Sequence, residues 1–194
     1  MDFSTVKDKL QEAGVRCERG LTEAEVRLAE DLFSFRFPPD LKAFLMFVLP
    51  TGRGWPNWRD VEDPEIQRML IWPYEGMCFD IENNVFWPNS WGTKPASLTE
   101  AFEIAKQKIE AAPKLIPVFG HRYLPDRPSL EGNPVFSVYQ TDIIYYGSNL
   151  WTYFQNEFSD YFRTARYHIS DPLRPIEFWS DYVDGGCHQA EMSR

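Results

Sequence analysis

Cysteine and histidine are scarce in this chain. Three cysteines, Cys17, Cys78 and Cys187, are odd in number and widely spaced, which argues against a disulfide framework and for reduced thiols. Three histidines, His121, His168 and His188, fall into no HExxH or paired spacing, and no CxxC occurs, so no dedicated zinc site is expected. The Cys187–His188 pair is too close in sequence to chelate from one face and reads as structural. Neither GxGxxG nor GxxxxGK[ST] is present, which removes the usual phosphate cradles, and no GxSxG nucleophile elbow is found. No cofactor is therefore expected. The longest apolar run, Ala43 to Leu49, is far short of a membrane span. The opening residues MDFSTVKDK hold no apolar stretch of the kind a secretory signal needs. A cytoplasmic protein without a membrane partner is the expectation.

Positive charge is also short. The net charge is −9, the excess is shared by both halves, and no Lys/Arg run breaks it. Direct nucleic-acid binding needs a basic stripe to replace counterions on phosphates, and none is present. An acidic surface instead attracts a basic protein partner and speeds the encounter. Aromatic residues are plentiful, with 15 Phe, 9 Tyr and 7 Trp. Most of these rings are expected in the core and loop layer, and some as exposed anchors.

The pattern along the chain begins with helices. Val6, Leu10 and Ala13 sit at helical spacing, and Gly14 follows as a stop. Thr22 and Glu25 form a capping-box pattern, with Leu21 and Val26 placed for a hydrophobic staple. Pro38, Pro39 and Asp40 restart the chain into a helix over Leu41 to Leu49. Asp63 and Pro64 predict an N-cap and first-turn proline for a short helix through Leu70. Met77 to Ile81 and Val85 to Trp87 read as a hairpin about Asn83 and Asn84, residues that tolerate positive φ. Ser97 and Glu100 open a helix with Phe102, Ala105 and Ile109 on one side, Pro113 stops it, and Leu115 to Phe119 reads as a strand.

The most informative stretch follows. Pro134 to Tyr139 and Ile143 to Tyr146 are rich in Val, Ile, Phe and Tyr and read as two strands about a turn. Gly147 and Ser148 break that pattern, and Leu150, Tyr153, Phe154, Glu157 and Phe158 then recur at helical spacing. A mixed helical segment is expected through Arg166. The tail carries Pro172, Pro175, an apolar island at Ile176 to Trp179, and a turn at Asp184 to Gly186. Helices first, then strands interrupted by one helix, predict an α+β fold with a mostly antiparallel sheet. The expected organisation is an N-terminal helical extension over residues 1–20, one domain over 21–170, and a C-terminal tail over 171–194.

Two acidic sets are candidate partner contacts: Asp60, Glu62, Asp63 and Glu65 at one helix start, and Glu177, Asp181 and Asp184 near the C-terminus. Each also suits helix capping or a solvated face. His121, Asp126 and Ser129 compose as a hydrolase triad only if the fold makes them converge; otherwise His121 and Arg122 brace a strand end.

The words LTEAEVRLAEDLFSFRFPPDLKAFL, GWPNWRD, EGMCFDIENNVFW, WGTKP, LIPVFGHRYLP and GNPVFSVYQTDIIYYGSNLWTYFQNEF, in this order, resemble the SUKH superfamily of Smi/Knr-like proteins, in its bacterial immunity-protein branch. The likeness runs from Leu21 to Phe158. It implies an α+β fold with a mostly antiparallel sheet, and binding without catalysis. On that likeness the chain is an antitoxin of a polymorphic toxin system, blocking a basic, nuclease-type toxin domain. A regulatory interaction module of the Smi/Knr type is the alternative, and a small hydrolase the third reading. The motif positions Trp58, Gly120, His121, Arg122, Asp142 and Tyr146 are implied to be scaffold.

Overall fold

The computed structural model describes residues 2–164, 169 and 173–183. Of the helical segment expected from Phe158 through Arg166, Ser159–Phe162 is helical and the last two residues fall outside the described ones, as do Pro172, the turn at Asp184, His168, Cys187 and His188. In chain order the elements are α1 (Phe3–Glu12), β1 (Arg16–Arg19), α2 (Glu23–Phe33), α3 (Pro39–Phe47), β2 (Val48–Thr51), α4 (Pro64–Glu82) and α5 (Leu98–Ala111). Four strands follow, β3 (Leu115–Phe119), β4 (Arg122–Pro125), β5 (Val135–Tyr139) and β6 (Asp142–Gly147), and then α6 (Leu150–Glu157) and α7 (Ser159–Phe162). One-turn 3-10 helices lie at Asn89–Trp91 and Trp179–Tyr182. The fold is α+β, with two sheets that are both antiparallel: β1 with β2, and the meander β3-β4-β5-β6.

The meander is buried on both faces. Ile116, Val118, Leu124 and Val135 join a core with α1, α2, α3 and α6. Leu115, Tyr123, Phe136, Val138 and Ile143 join a second core with α4, α5 and the segment around Trp179. Alternate side chains thus enter two apolar layers, which is why β5 and β6 read as continuous apolar runs and not as an in–out alternation. Val6 and Leu10 of α1 are fully buried in the first core.

The predicted helix starts are present. Thr22 accepts from the Glu25 N–H while the Glu25 carboxylate accepts from the Thr22 N–H at 2.7 Å, a reciprocal cap. Asp63 accepts from the Glu65 N–H, with Pro64 at the first helical position. Ser97 accepts from the Glu100 N–H.

Glu25 also receives Arg19 at 2.9 Å and Arg59 at 3.1 Å, tying α2 to β1 and to the loop before α4. The Arg19 bond, chiefly, and then the Thr22 N–H hold its carboxyl down from the usual 4.5 to about 2. A depressed carboxyl contributes stability that is complete above its unfolded pKa and is lost as pH falls through the folded one. Glu25→Gln is therefore expected to cost about 1 kcal/mol at pH 7, the scale of a lost N-terminal cap. Urea melts should show that deficit shrinking between pH 4.5 and 2. A deficit unchanged at pH 2.5 would contradict it.

Three elements differ from expectation. The hairpin read at Met77–Ile81 and Val85–Trp87 does not form: α4 runs through Leu70 to Glu82, and Val85 to Trp87 is irregular. Met77 and Ile81, one turn apart, are buried in the second core, and packing of that pair fixes the helix. Asn84 does adopt positive φ (59°), as the helix exit and not as a hairpin turn. Lys94 closes that end by donating to the Ile81 carbonyl and to Asn84 Oδ1. The helix read at Leu41–Leu49 starts at Pro39 and stops at Phe47, because Val48 to Thr51 pairs with β1. Strand β1 itself had no sequence signal; only Cys17 among its four residues is part-buried.

Candidate functional site

The first acidic set is divided between roles. Asp63 is consumed as the N-cap of α4, and Glu65 pairs with Arg68. Asp60 accepts from the Glu62 N–H, but Asp60 and Glu62 are exposed and meet no cation among the described residues. In the second set Glu177 and Asp181 are exposed around the 3-10 turn Trp179–Tyr182, and Asp184 lies outside the described residues. The two sets sit on separate elements: one begins α4, which packs on β3 and β5, and the other borders β6.

The motif residues gather around the hairpin ends. Gly120 takes φ +55° in the β3–β4 turn, a backbone region that glycine enters freely, and its N–H donates to the Gly54 carbonyl at 2.7 Å. His121 is half-buried, with its ring edge-on to Tyr139 at 6.1 Å and its carbonyl accepting from the Val138 N–H. Burial, and then the charge of Arg122, lowers its pKa and favours the neutral ring. Arg122 donates to Glu157 at 2.9 Å and to Ser137 Oγ at 2.8 Å, and its guanidinium lies 3.8 Å from the Tyr146 ring centre. Asp142 opens β6 opposite Tyr139 and is exposed. Trp58 stands apart in the first core, 1% exposed, with the Phe33, Phe35 and Phe37 rings edge-on around it.

The imagined triad does not converge. Strand β4 separates His121 from Asp126, about 16 Å along an extended chain. Asp126 instead accepts from the Lys114 N–H at 2.8 Å, and burial raises its carboxyl pKa. Among the described residues no three His, Cys, Asp or Glu side chains are placed to hold a metal, and no helix is long and apolar enough to cross a membrane.

One feature of the surface was missed from the sequence. Helices α4 and α5 enclose an open cleft of about 590 Å³, floored by Leu70, Ile71, Tyr74, Phe102 and Ile109 and edged by Glu103 and Glu110. Ile71 is 46% exposed there. The Tyr74 hydroxyl donates to the Phe102 carbonyl at 3.3 Å. Its pKa is pushed up to about 12, first by burial, then by the Cys78 thiol and the nearby Glu103 and Glu110 carboxylates. Ending α4 at Leu70 hid the cleft, since Ile71 and Tyr74 share a face with α5 only once the helix continues.

No family model, curated protein or solved structure matches the chain, and the SUKH resemblance stands on its sequence words alone.

Proposed function

We propose that this chain is a non-enzymatic protein-binding domain of the SUKH type, a cytoplasmic immunity protein that neutralises a basic toxin domain by covering its substrate-binding surface. The observation that carries the reading is the set of exposed carboxylates, Asp60, Glu62, Glu177 and Asp181, that the described residues leave without an internal cation. Surface carboxylates already paired in-house have little left to offer a partner; these four keep their full field. On a chain of net charge −9 they steer a Lys/Arg-rich surface into contact. The Arg122 cluster braces the sheet end, and His121 packs edge-on against Tyr139 beside it.

The test is co-expression with a toxin encoded beside this chain, followed by gel filtration of the pair. A salt-sensitive complex is expected. At least one of the double reversals Asp60→Lys/Glu62→Lys and Glu177→Lys/Asp181→Lys should weaken it by roughly tenfold or more. A complex indifferent to salt and to both reversals would defeat the electrostatic reading. Growth arrest unrelieved by this chain would defeat the immunity assignment for that toxin.

A further inference from the structure

The α4–α5 cleft is apolar at its floor and acidic at its edge, and that combination specifies a partner. Two helices packed side by side leave a groove between their side-chain ridges, and the shape that fills such a groove is a third helix. Ile71 and Leu70 on α4, with Phe102 and Ile109 on α5, offer an apolar floor of which Ile71 is nearly half exposed. Glu103 and Glu110 stand two turns apart along α5, about 10 Å. Both lie close enough to the Tyr74 hydroxyl to raise its pKa, so their charge reaches into the cleft and not only outward. Lys106 lies between them, 4.0 Å from Glu110 with both side chains more than half exposed, so the α5 edge sets two carboxylates against one ammonium and stays net acidic. On the opposite wall Glu75 follows Ile71 by one turn and is exposed, adding a carboxylate beside the same face.

We infer that the α4–α5 cleft is the docking groove for a cationic amphipathic helix of the partner protein, whose apolar stripe lies on Ile71, Phe102 and Ile109 while flanking Lys or Arg side chains meet Glu103, Glu110 and Glu75. This deepens the proposed function and rests on its basic-partner reading. Apolar burial supplies the affinity and the carboxylates set orientation and encounter rate.

The test uses the full chain and a fluorescein-labelled Leu/Lys peptide of about 14 residues, four turns of helix, with leucine at helical spacing. A peptide of the same composition in strict alternation is the control. Anisotropy should saturate with a Kd in the micromolar range for the helical pattern and at least roughly tenfold weaker for the alternating one. Ile71→Glu, at an exposed position where folding is not at stake, should weaken binding about tenfold. Glu103→Lys/Glu110→Lys should do the same and flatten the salt dependence. Asp8→Lys/Glu12→Lys, on α1 away from the cleft and outside both acidic sets, should leave the affinity unchanged.

Equal binding of both peptides, or wild-type affinity in the Ile71 and Glu103/Glu110 variants, overturns the groove. If those variants bind normally while Asp60→Lys/Glu62→Lys or Glu177→Lys/Asp181→Lys abolishes binding, the groove falls and the basic-partner reading stands. If neither peptide binds at any salt concentration, both fall. A dimer by light scattering that Ile71→Glu dissociates would assign the cleft to a second copy of this chain and overturn the proposal.

Discussion

Trp179→Ala is expected to lower stability by about 3–5 kcal/mol and the melting temperature by roughly 10 °C. The indole is 1% exposed in the second core and its Nε1–H donates to the Pro113 carbonyl at 2.6 Å. It lies edge-on to Phe178 at 4.9 Å. It is also the central anchor of residues 173–183. On one side Arg174 donates to the Glu131 carbonyl and to Asn133 Oδ1. On the other, the Tyr145 hydroxyl meets Ser180 Oγ at 2.7 Å and Val183 forms a single parallel bridge with Ile143. These polar ties are short-range and modest; the ring is what covers the sheet face that carries Phe136 and Ile143. Alanine leaves a cavity there and an unpaired buried carbonyl on Pro113. Trp179→Phe keeps most of the apolar area and loses only the hydrogen bond, so about 1–2 kcal/mol is expected. Urea denaturation of both variants separates the terms. If residues 173–183 were a loose appendage, both variants would unfold with the wild type.

Legibility in the sequence followed the range of the interactions. The β5–β6–α6 stretch was readable because its signals are local: β-branched and aromatic runs, a polar turn, and an apolar helical face with Tyr153 and Phe154 fully buried. Asn149 completes the α6 start by accepting from the Trp151 and Thr152 N–H groups, just after Gly147 and Ser148 break the strand pattern. The α2 cap was readable for the same reason. Strands β1 and β2 were not, because more than 25 residues and two helices separate partners that pair through only four positions. Their pairing is chosen by what α2 and α3 bring together. Acidic residues were legible as chemistry but not as roles. Asp63 and Asp60 look alike in sequence, yet one is spent on a helix start and the other remains exposed. The cleft between α4 and α5 was illegible because it depends on where α4 ends, and Pro73 and Gly76 both argue locally against continuing.

Gly76 makes that conflict measurable. In an isolated helix, replacing glycine with leucine stabilises by up to about 1 kcal/mol. In this protein Gly76→Leu is expected to destabilise by about 3 kcal/mol. A Cβ at position 76 would stand 2.7 Å from the Gln140 Cα and 3.1 Å from its N, and backbone atoms of a tight turn cannot rotate aside. That turn is held in place. The buried Asp80 carboxylate accepts from the Thr141 N–H at 2.9 Å and from its hydroxyl at 2.5 Å. The Trp72 Nε1–H donates to the Val138 carbonyl at 3.2 Å. Relieving the clash means lifting α4 from the β5–β6 turn, which strips donors from a carboxylate only 6% exposed. Steric strain and lost charge-assisted bonds together exceed the propensity gain, and the sign of the effect reverses. Gly76→Ala should show the same sign at about 1–2 kcal/mol, while Glu75→Ala, one residue away and exposed, should stay within about 0.5 kcal/mol of wild type. Urea midpoints of the three variants decide it. A stabilised Gly76→Ala protein would mean that helix propensity governs this position and that the close approach of α4 to the hairpin is not what glycine is there to permit.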